Sequence, residues 1–378
     1  MKVIVDKKIP FINGVLERYA EVVYCEGRDI TRDIVRDADA LIVRTRTKCD
    51  RALLEGSSVR FIASATIGFD HIDTKYCEAG NIFWTNAAGC NSSSVQQYIA
   101  AALFHLADRD RFELAGKTMG IVGVGNVGTK VANLCKAIGM RTLLNDPPRE
   151  RREGSKDFVS LETVIRNSDI ISFHVPLNPD GVDKTYHLVD EKLLGSFRRD
   201  QILINASRGE VVDGDALKWA LKNKMLTDCV LDVWEHEPEI DRELLGLVGI
   251  VTPHIAGYSA DGKANGTAMS VQAFGRFFKL DLHNWYPEKV PLPVLTTLEV
   301  ECKNRNVQNI VGGVVKRTYD LLADDARLRM SPSTFEKQRG EYPLRREFST
   351  YTLNLLEPHD GLESMVQAIG FKTYHQTS

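Results

Sequence analysis

The sequence predicts an α/β protein with two doubly wound, Rossmann-like lobes and a small C-terminal α+β domain. Short, partly β-branched apolar runs alternate with helical patterns over residues 1–86. The alternation restarts after one long helical stretch and continues to about residue 252. Three prolines, at positions 287, 291 and 293, then precede a segment with a different pattern. Alternating strands and helices favour parallel sheets that are covered by helices on both faces.

The first lobe begins at the N-terminus with five predicted strands. They are short and spaced for crossover helices, at residues 3–5, 22–24, 41–43, 61–63 and 82–84. A long helix is expected over residues 93–107, because Ile99, Leu103 and Leu106 recur near three-to-four spacing. Asn91 or Ser92 can cap the start of this helix.

The second lobe and the C-terminal segment differ in their patterns. In the second lobe we expect six strands, at residues 118–122, 142–145, 170–173, 202–205, 230–232 and 250–252. In the C-terminal segment we expect strands at 298–301, 348–355 and 371–374, and helices at 306–322, 334–339 and 361–369. This segment is too small for a catalytic lobe, so we interpret it as an appended module.

The composition argues against several classes of protein. Lys and Arg number 48 against 51 Asp and Glu, so the formal charge of the 378 residues is −3. A nucleic-acid binder needs a basic excess, and no apolar run approaches the ~20 residues that span a membrane. The seven cysteines form no C-x-x-C pair. We therefore expect a reduced, cytoplasmic protein without a bound metal.

The strongest local signal is a glycine-rich motif. Gly123, Gly125 and Gly128 flank Asn126 and Val127 in the pattern G-x-G-x-x-G. A predicted strand precedes the motif and a helical pattern follows it, which is the context of a dinucleotide site. The glycines permit a tight turn, and the helix N-terminus offers N–H groups to a pyrophosphate.

Asp146 ends the next predicted strand, 18 residues after the last glycine of the motif. Its carboxylate can accept hydrogen bonds from ribose hydroxyls and would repel a 2′-phosphate, which favours NAD over NADP. Arg149, Arg151 and Arg152 follow closely, and their charges can counter that repulsion.

Charged side chains follow three further strands, at the sheet edge where open α/β sheets bind ligands. Arg208 follows the strand at 202–205, Asp232 and Glu237 follow the next strand, and His254 follows the last. Hydride transfer from a hydroxyl-bearing carbon needs a base with a pKa near neutrality, and histidine fits. A carboxylate would orient the imidazole, and a guanidinium can hold a substrate carboxylate. Together these residues predict a dehydrogenase.

The combined motifs resemble the D-isomer-specific 2-hydroxyacid dehydrogenases over residues 1–285. The resemblance rests on the glycine motif with Asp146, the Ser207-Arg208-Gly209 turn, Glu237-Pro238 and residues 253–257. It implies that Arg208, Glu237 and His254 are catalytic. It implies further cofactor contacts from Val175, Ala206, Ser207, Asp232 and Gly257, and substrate contacts from Thr45, Thr66 and Tyr258. Val175 lacks the hydroxyl common at its position, so only a backbone contact to NAD is expected there.

The resemblance also implies a domain organisation. Residues 1–92 with 257–285 would form the substrate-binding lobe, residues 93–256 the NAD-binding Rossmann domain, and residues 286–378 a dimerisation domain. A homodimer is therefore expected. Stretches such as 63–73 and 88–91 resemble those members of the family that oxidise a phosphorylated 2-hydroxy acid.

A substrate phosphate requires local cations, and two pairs of arginines can supply them. Arg44 and Arg46 follow a buried strand of the first lobe, and strand alternation would direct both to one side, opposite Thr45. Arg345 and Arg346 are a second source. Two alternatives stay open: a dehydrogenase for 3-phosphoglycerate or another D-2-hydroxy acid, and an NAD-sensing binding protein similar to transcriptional corepressors.

Overall fold

The computed structural model describes residues 1–154 and 156–374 and divides them into two units. Residues 1–91 and 259–291 form the first unit. Residues 92–258 form the second unit together with the described residues from Leu292 onward. No helix among the described residues is long and apolar enough to cross a membrane.

The first unit is built on a five-stranded parallel sheet with the strand order β2-β1-β3-β4-β5. The order changes direction between β1 and β3, which is where doubly wound sheets open a crevice. All five strands were expected from the sequence, with ends that differ by at most two residues. The elements are β1 (Lys2–Asp6), β2 (Glu21–Cys25), α1 (Arg32–Val35), β3 (Ala40–Val43), α2 (Arg51–Leu54), β4 (Phe61–Ser64), α3 (Thr74–Ala79) and β5 (Phe83–Asn86).

The second unit contains a six-stranded parallel sheet with the strand order β11-β10-β9-β8-β6-β7. Its order changes direction between β6 and β8. The six expected strands are confirmed. The elements are α4 (Ser92–Asp110), β6 (Thr118–Val122), α5 (Asn126–Ala137), β7 (Arg141–Asn145), α6 (Pro147–Glu153), α7 (Leu161–Asn167), β8 (Ile170–Phe173), α8 (Glu191–Leu194), β9 (Ile202–Asn205), α9 (Gly214–Lys222), β10 (Asp228–Leu231), α10 (Arg242–Leu247) and β11 (Ile250–Val251).

The chain then returns to the first unit through α11 (Ala260–Phe278). Phe274 of this helix is fully buried and packs edge-on against Phe61 of β4. Beyond residue 291, a three-stranded parallel sheet with the order β12-β13-β14 is combined with helices. The elements are β12 (Thr297–Glu301), α12 (Val307–Thr318), α13 (Leu321–Met330), α14 (Phe335–Gly340), β13 (Thr352–Leu356), α15 (Leu362–Ile369) and β14 (Lys372–Thr373).

Two expected elements of the C-terminal segment differ from the structure. The helix expected over residues 306–322 ends at Thr318, because Tyr319 has an extended backbone and Asp320 caps α13 instead. The first part of the strand expected over residues 348–355 is a 3₁₀ turn, Phe348–Thr350. The sequence pattern does not reveal the first break, since buried apolar residues continue from Val315 of α12 to Leu321 of α13.

The C-terminal segment shares its core with the six-stranded sheet of the second unit, whereas the sequence suggested an appended module from residue 286. Helix α12 packs on α4, and α15 packs on α5. Ile310, Val314 and Leu353 belong to the same buried cluster as Ile121 of β6. Residues 92–258 and the residues from 292 onward therefore bury apolar surface in one common core, and for this reason they form a single unit.

We predict that valine destabilises the protein at one of two adjacent glycines of α12 and not at the other. A Cβ on Gly312 would lie 3.0 Å from the Phe104 ring of α4, whereas a Cβ on Gly313 would meet only the end of the Arg305 side chain, at 3.6 Å. Gly312→Val should therefore lower the free energy of unfolding by about 1–3 kcal/mol through overpacking. Gly313→Val should leave it nearly unchanged. Urea denaturation of both variants measures the difference, and equal midpoints would contradict this account of the packing.

Candidate active site

The glycine motif forms a tight turn between β6 and α5. Gly123 has a φ of +87°. A Cβ there would lie 2.6 Å from the His174 carbonyl oxygen, and one on Gly128 would lie 2.0 Å from the Gly123 oxygen. By contrast, a Cβ on Gly125 would meet nothing within 4 Å. Packing therefore requires the outer two glycines, and the middle one leaves open space at the helix N-terminus, as a bound pyrophosphate would need.

The residues expected to contact the adenosine end of the cofactor surround this turn. Asp146 caps α6, accepting hydrogen bonds from the N–H of Arg149 at 3.0 Å and from that of Val124 in the glycine turn at 2.8 Å. On the other side of the turn, Val175 follows β8 and would lie 2.9 Å from a Cβ on Gly123. Burial lowers the pKa of the adjacent His174 to about 4, so its ring is neutral at physiological pH.

The three arginines near Asp146 have carboxylate partners. Arg149 and Arg152 bind Glu153 at 2.8 and 3.0 Å, and Arg151 binds Asp183 at 2.5 Å. Because these carboxylates offset the positive charge, the arginines give little reason to expect a site for a 2′-phosphate.

Arg208 is positioned by a turn that Asn205 closes at the end of β9. The Asn205 side chain accepts from the hydroxyl and N–H of Ser207, at 2.8 and 3.1 Å, and its amide donates to the Arg208 carbonyl at 2.9 Å. A Cβ on Gly209 would lie 2.0 Å from the Trp234 carbonyl. The turn with Ala206, Ser207 and Arg208 therefore packs directly on the segment that leads to Glu237.

His254 and Glu237 form a close pair. The imidazole Nδ1 lies 2.7 Å from Glu237 Oε2, and the other carboxylate oxygen accepts from the N–H of Trp234 at 3.0 Å. Since a carboxylate accepts hydrogen bonds, Nδ1 carries the proton and Nε2 is left as the basic atom. A carboxylate-oriented histidine base needs this geometry, and the catalytic role of the pair stays a prediction.

Asp232 determines the path of the chain through His254. This carboxylate is 1% exposed and accepts from the Thr252 hydroxyl at 2.6 Å and from the N–H groups of Ile255 and Ala256, both at 2.8 Å. The N–H of His254 donates to the Asp232 carbonyl at 2.6 Å, and His254 has a φ of +56°. This tight turn directs the histidine side chain away from its strand and precedes Gly257 and Tyr258.

Two arginines of the C-terminal segment contact residues 256–258, and the sequence did not single out the first of them. The Arg339 guanidinium lies 5.8 Å from the centre of the Tyr258 ring. Arg345 was expected to be a source of charge for a substrate phosphate, but it is 5% exposed and donates to the Ala256 carbonyl at 2.5 Å. A lone arginine on a short helix shows no sequence pattern from which its position could be inferred.

The candidate substrate residues of the first unit lie at the ends of β3 and β4. The Arg44 Nε lies 3.1 Å from a carboxylate oxygen of Asp6, which is fully buried at the end of β1. Thr45 and Arg46 are both exposed. Strand alternation would apply to these three residues only without a turn, and here β3 ends at Val43 and the chain turns.

Thr66 follows β4 and belongs to a hydroxyl network. Its hydroxyl lies 2.8 Å from that of Ser64, which in turn contacts His71 Nε2 at 3.1 Å. Burial lowers the pKa of His71, so this ring is a neutral partner of the network. Among the described residues, no cluster of histidine, cysteine and acidic side chains could hold a metal ion.

Comparison with known proteins agrees with this fold and site. The family described as "D-isomer specific 2-hydroxyacid dehydrogenase, NAD binding domain" matches residues 91–256, and a domain of unknown function (DUF3410) matches residues 291–370. A solved structure of NAD⁺-bound 3-phosphoglycerate dehydrogenase from Entamoeba histolytica aligns with a TM-score of 0.61 at 26% identity, over 74% of this chain and 95% of that one. Fold and site thus define an NAD-binding dehydrogenase of the D-2-hydroxyacid class.

Curated relatives match nearly the whole chain. An erythronate-4-phosphate dehydrogenase of Bacteroides fragilis is 51% identical over 93% of this chain and 99% of that protein. One from Proteus mirabilis is 40% identical over the full length of both. The chain belongs to the erythronate-4-phosphate dehydrogenase family.

We predict that His254→Ala lowers kcat by ~10²–10⁴-fold, because it removes the basic Nε2. NAD affinity should change little, since the glycine turn and Asp146 do not contact this side chain in the structure. Steady-state kinetics and calorimetric NAD titration test the two parts. Glu237→Gln is the matched variant for the other member of the pair, because glutamine keeps the size of the Glu237 side chain and removes its charge. A wild-type rate in His254→Ala would contradict the assignment.

Proposed function

We propose that the protein oxidises 4-phospho-D-erythronate to 2-oxo-3-hydroxy-4-phosphobutanoate, with NAD as the hydride acceptor, in pyridoxine 5′-phosphate biosynthesis. The observation that carries the proposal is the His254–Glu237 pair, which packs beside the Arg208 turn in a unit that also holds the glycine turn. The chain matches erythronate-4-phosphate dehydrogenases over nearly their whole length, which supports the choice of substrate.

Each catalytic side chain has a distinct role in this reaction. His254 Nε2 takes the proton from the C2 hydroxyl, and Glu237 stabilises the imidazolium that forms. Arg208 binds the substrate carboxylate through its guanidinium, whose planar donors match a carboxylate. NAD held at the glycine turn would supply the acceptor for the hydride of C2, so that the loss of this hydride and of the hydroxyl proton would leave a carbonyl at C2.

We assign NAD rather than NADP as the cofactor. Asp146 lies at the end of β7, where its carboxylate would repel a 2′-phosphate. Gly123, Gly125, Asn126, Val127 and Gly128 would hold the pyrophosphate, and the other cofactor contacts would come from Val175, Ala206, Ser207, Asp232 and Gly257. The Asp232 carboxylate is occupied by backbone N–H groups, so its contribution is to shape the loop.

The remaining substrate contacts would come from Arg44, Thr45, Arg46, Thr66 and Tyr258. Arg44 also neutralises the buried Asp6, so its removal would destabilise the first unit as well as weaken ligand binding. Arg46 is the better probe, because its side chain is exposed at the end of β3.

NAD reduction measured with 4-phospho-D-erythronate beside 3-phosphoglycerate tests the proposed function. We expect a clear preference in kcat/KM for the erythronate derivative. A preference for 3-phosphoglycerate would support the other dehydrogenase hypothesis. Tight NAD binding without turnover of any 2-hydroxy acid would instead support an NAD-sensing protein.

We predict that Arg46→Ala raises KM for the phosphorylated substrate by roughly 10–100-fold, because a charge-assisted hydrogen bond contributes about 1.5–3 kcal/mol. The rate with unphosphorylated D-erythronate should change little. Lys48→Ala is the control, since it removes an exposed positive charge two residues away. Equal losses on both substrates would indicate that Arg46 shapes the loop or binds the carboxylate.

We further propose a homodimer formed through the C-terminal segment. Large apolar side chains are exposed there, among them Leu322 and Met330 of α13 and Leu344. Exposed apolar side chains grouped on one segment often mark a protein interface, and the partner proposed here is a second copy of the chain.

We predict that the double variant Leu322→Glu, Met330→Glu sediments as a monomer at micromolar concentration, because charges would be buried without partners in the interface. Val182→Glu is the control, since Val182 is an exposed apolar residue outside this segment. A monomeric wild-type protein, or a double variant that stays dimeric, would contradict the proposed interface.

A further inference from the structure

Arg339 of α14 is a largely buried cation with an unsatisfied donor. Its side chain is 19% exposed, and Nη1 donates to Glu336 on the same helix at 2.8 Å. The Nε atom is buried and has no hydrogen-bond partner among the described residues. An unpaired buried donor on a charged group is costly, so its presence calls for an explanation. An acceptor that arrives with a ligand would supply one.

Arg339 lies beside Tyr258, which follows His254 by four residues. Its guanidinium lies over the Tyr258 ring, 5.8 Å from the ring centre. Burial disfavours the charge, but Tyr258, Glu237 and Glu336 outweigh it, so the pKa of Arg339 lies above its ordinary value. An arginine guanidinium stays positively charged at physiological pH.

An anionic substrate needs such a charge at this place. The Glu237 carboxylate orients the base, but it also repels a substrate that carries a carboxylate and a phosphate. Arg208 is assigned to the substrate carboxylate, so a cation beside Glu237 would offset this repulsion of the phosphate in addition to Arg46 of the first unit. Arg345 is unsuited to this role, because it is buried between Tyr319 and Tyr342 and donates to a backbone carbonyl.

We propose that Arg339 binds the substrate phosphate, so that the C-terminal segment contributes a specificity-determining residue to the active site. This inference rests on the function proposed above. Phosphate oxygens only accept hydrogen bonds from protein, and the fork of an arginine can bind two of them at once. Contacts that are loose in the free enzyme commonly tighten when the substrate is bound.

The test compares two substrates in wild type and in Arg339→Met. The variant should raise KM for 4-phospho-D-erythronate by roughly 10–100-fold, the loss expected for one charge-assisted hydrogen bond. It should change kcat/KM for unphosphorylated D-erythronate by less than about threefold. Inorganic phosphate should inhibit the wild type competitively, and the variant should need a correspondingly higher concentration. Arg339→Lys should recover part of the loss, since it keeps the charge but not the fork.

Lys337→Met is the matched control, because it removes one positive charge from the exposed side of the same helix. This control should behave as wild type with both substrates. Equal losses on both substrates in Arg339→Met would overturn the inference and indicate an effect through Glu237 or Tyr258. Unchanged phosphate inhibition in Arg339→Met would overturn it as well.

Two further results keep the outcome decisive. If Arg339→Met does not fold, as judged by circular dichroism, the lysine variant decides: a loss confined to the phosphorylated substrate supports the inference, and a loss on both overturns it. If the wild type does not oxidise 4-phospho-D-erythronate, the proposed function fails. Phosphate inhibition measured with whichever 2-hydroxy acid is oxidised then still tests Arg339 separately.

Discussion

The buried carboxylate of Asp232 is the interaction on which the active site depends. A charge in the protein interior is stable only when hydrogen-bond donors surround it, and three donors do so here, from Thr252, Ile255 and Ala256. All three belong to the segment that turns through His254. The bonds that stabilise the charge therefore also fix the backbone that carries the base. Tyr98 of α4 extends this network by contacting the Thr252 hydroxyl at 2.9 Å.

The C-terminal segment is part of this arrangement. Arg345 donates to the carbonyl of Ala256. The N–H of the preceding residue, Ile255, donates to Asp232. The Arg345 guanidinium lies 4.4 Å from the Tyr319 ring centre, so aromatic faces replace some of its missing acceptors. A buried polar network of this kind specifies one geometry, since each partner is costly to leave unpaired. The segment thus supports the catalytic turn in addition to any role in assembly.

Three carboxylates of the second unit follow strands, and their partners give them different roles. Asp146 accepts from backbone N–H groups of the glycine turn and of α6, and Asp232 accepts from the catalytic turn. Both therefore determine the shape of loops. Glu237 alone among the three contacts an imidazole, and so it alone bears on a group that can exchange a proton during the reaction.

The sequence by itself determined the sheets and the chemistry near their edges. Apolar runs and the glycine motif are local patterns, so the strands could be predicted from them. Arg208, Glu237 and His254 were singled out because they follow strands and because the motifs around them resemble a known family. Features that depend on contacts between residues far apart in the sequence were decided only by the tertiary structure. It showed that helix α12 ends before Tyr319, that Arg44 binds Asp6, and that Arg345 is buried. Arg339 meets Tyr258 across 81 residues of chain, and no local pattern encodes such a contact.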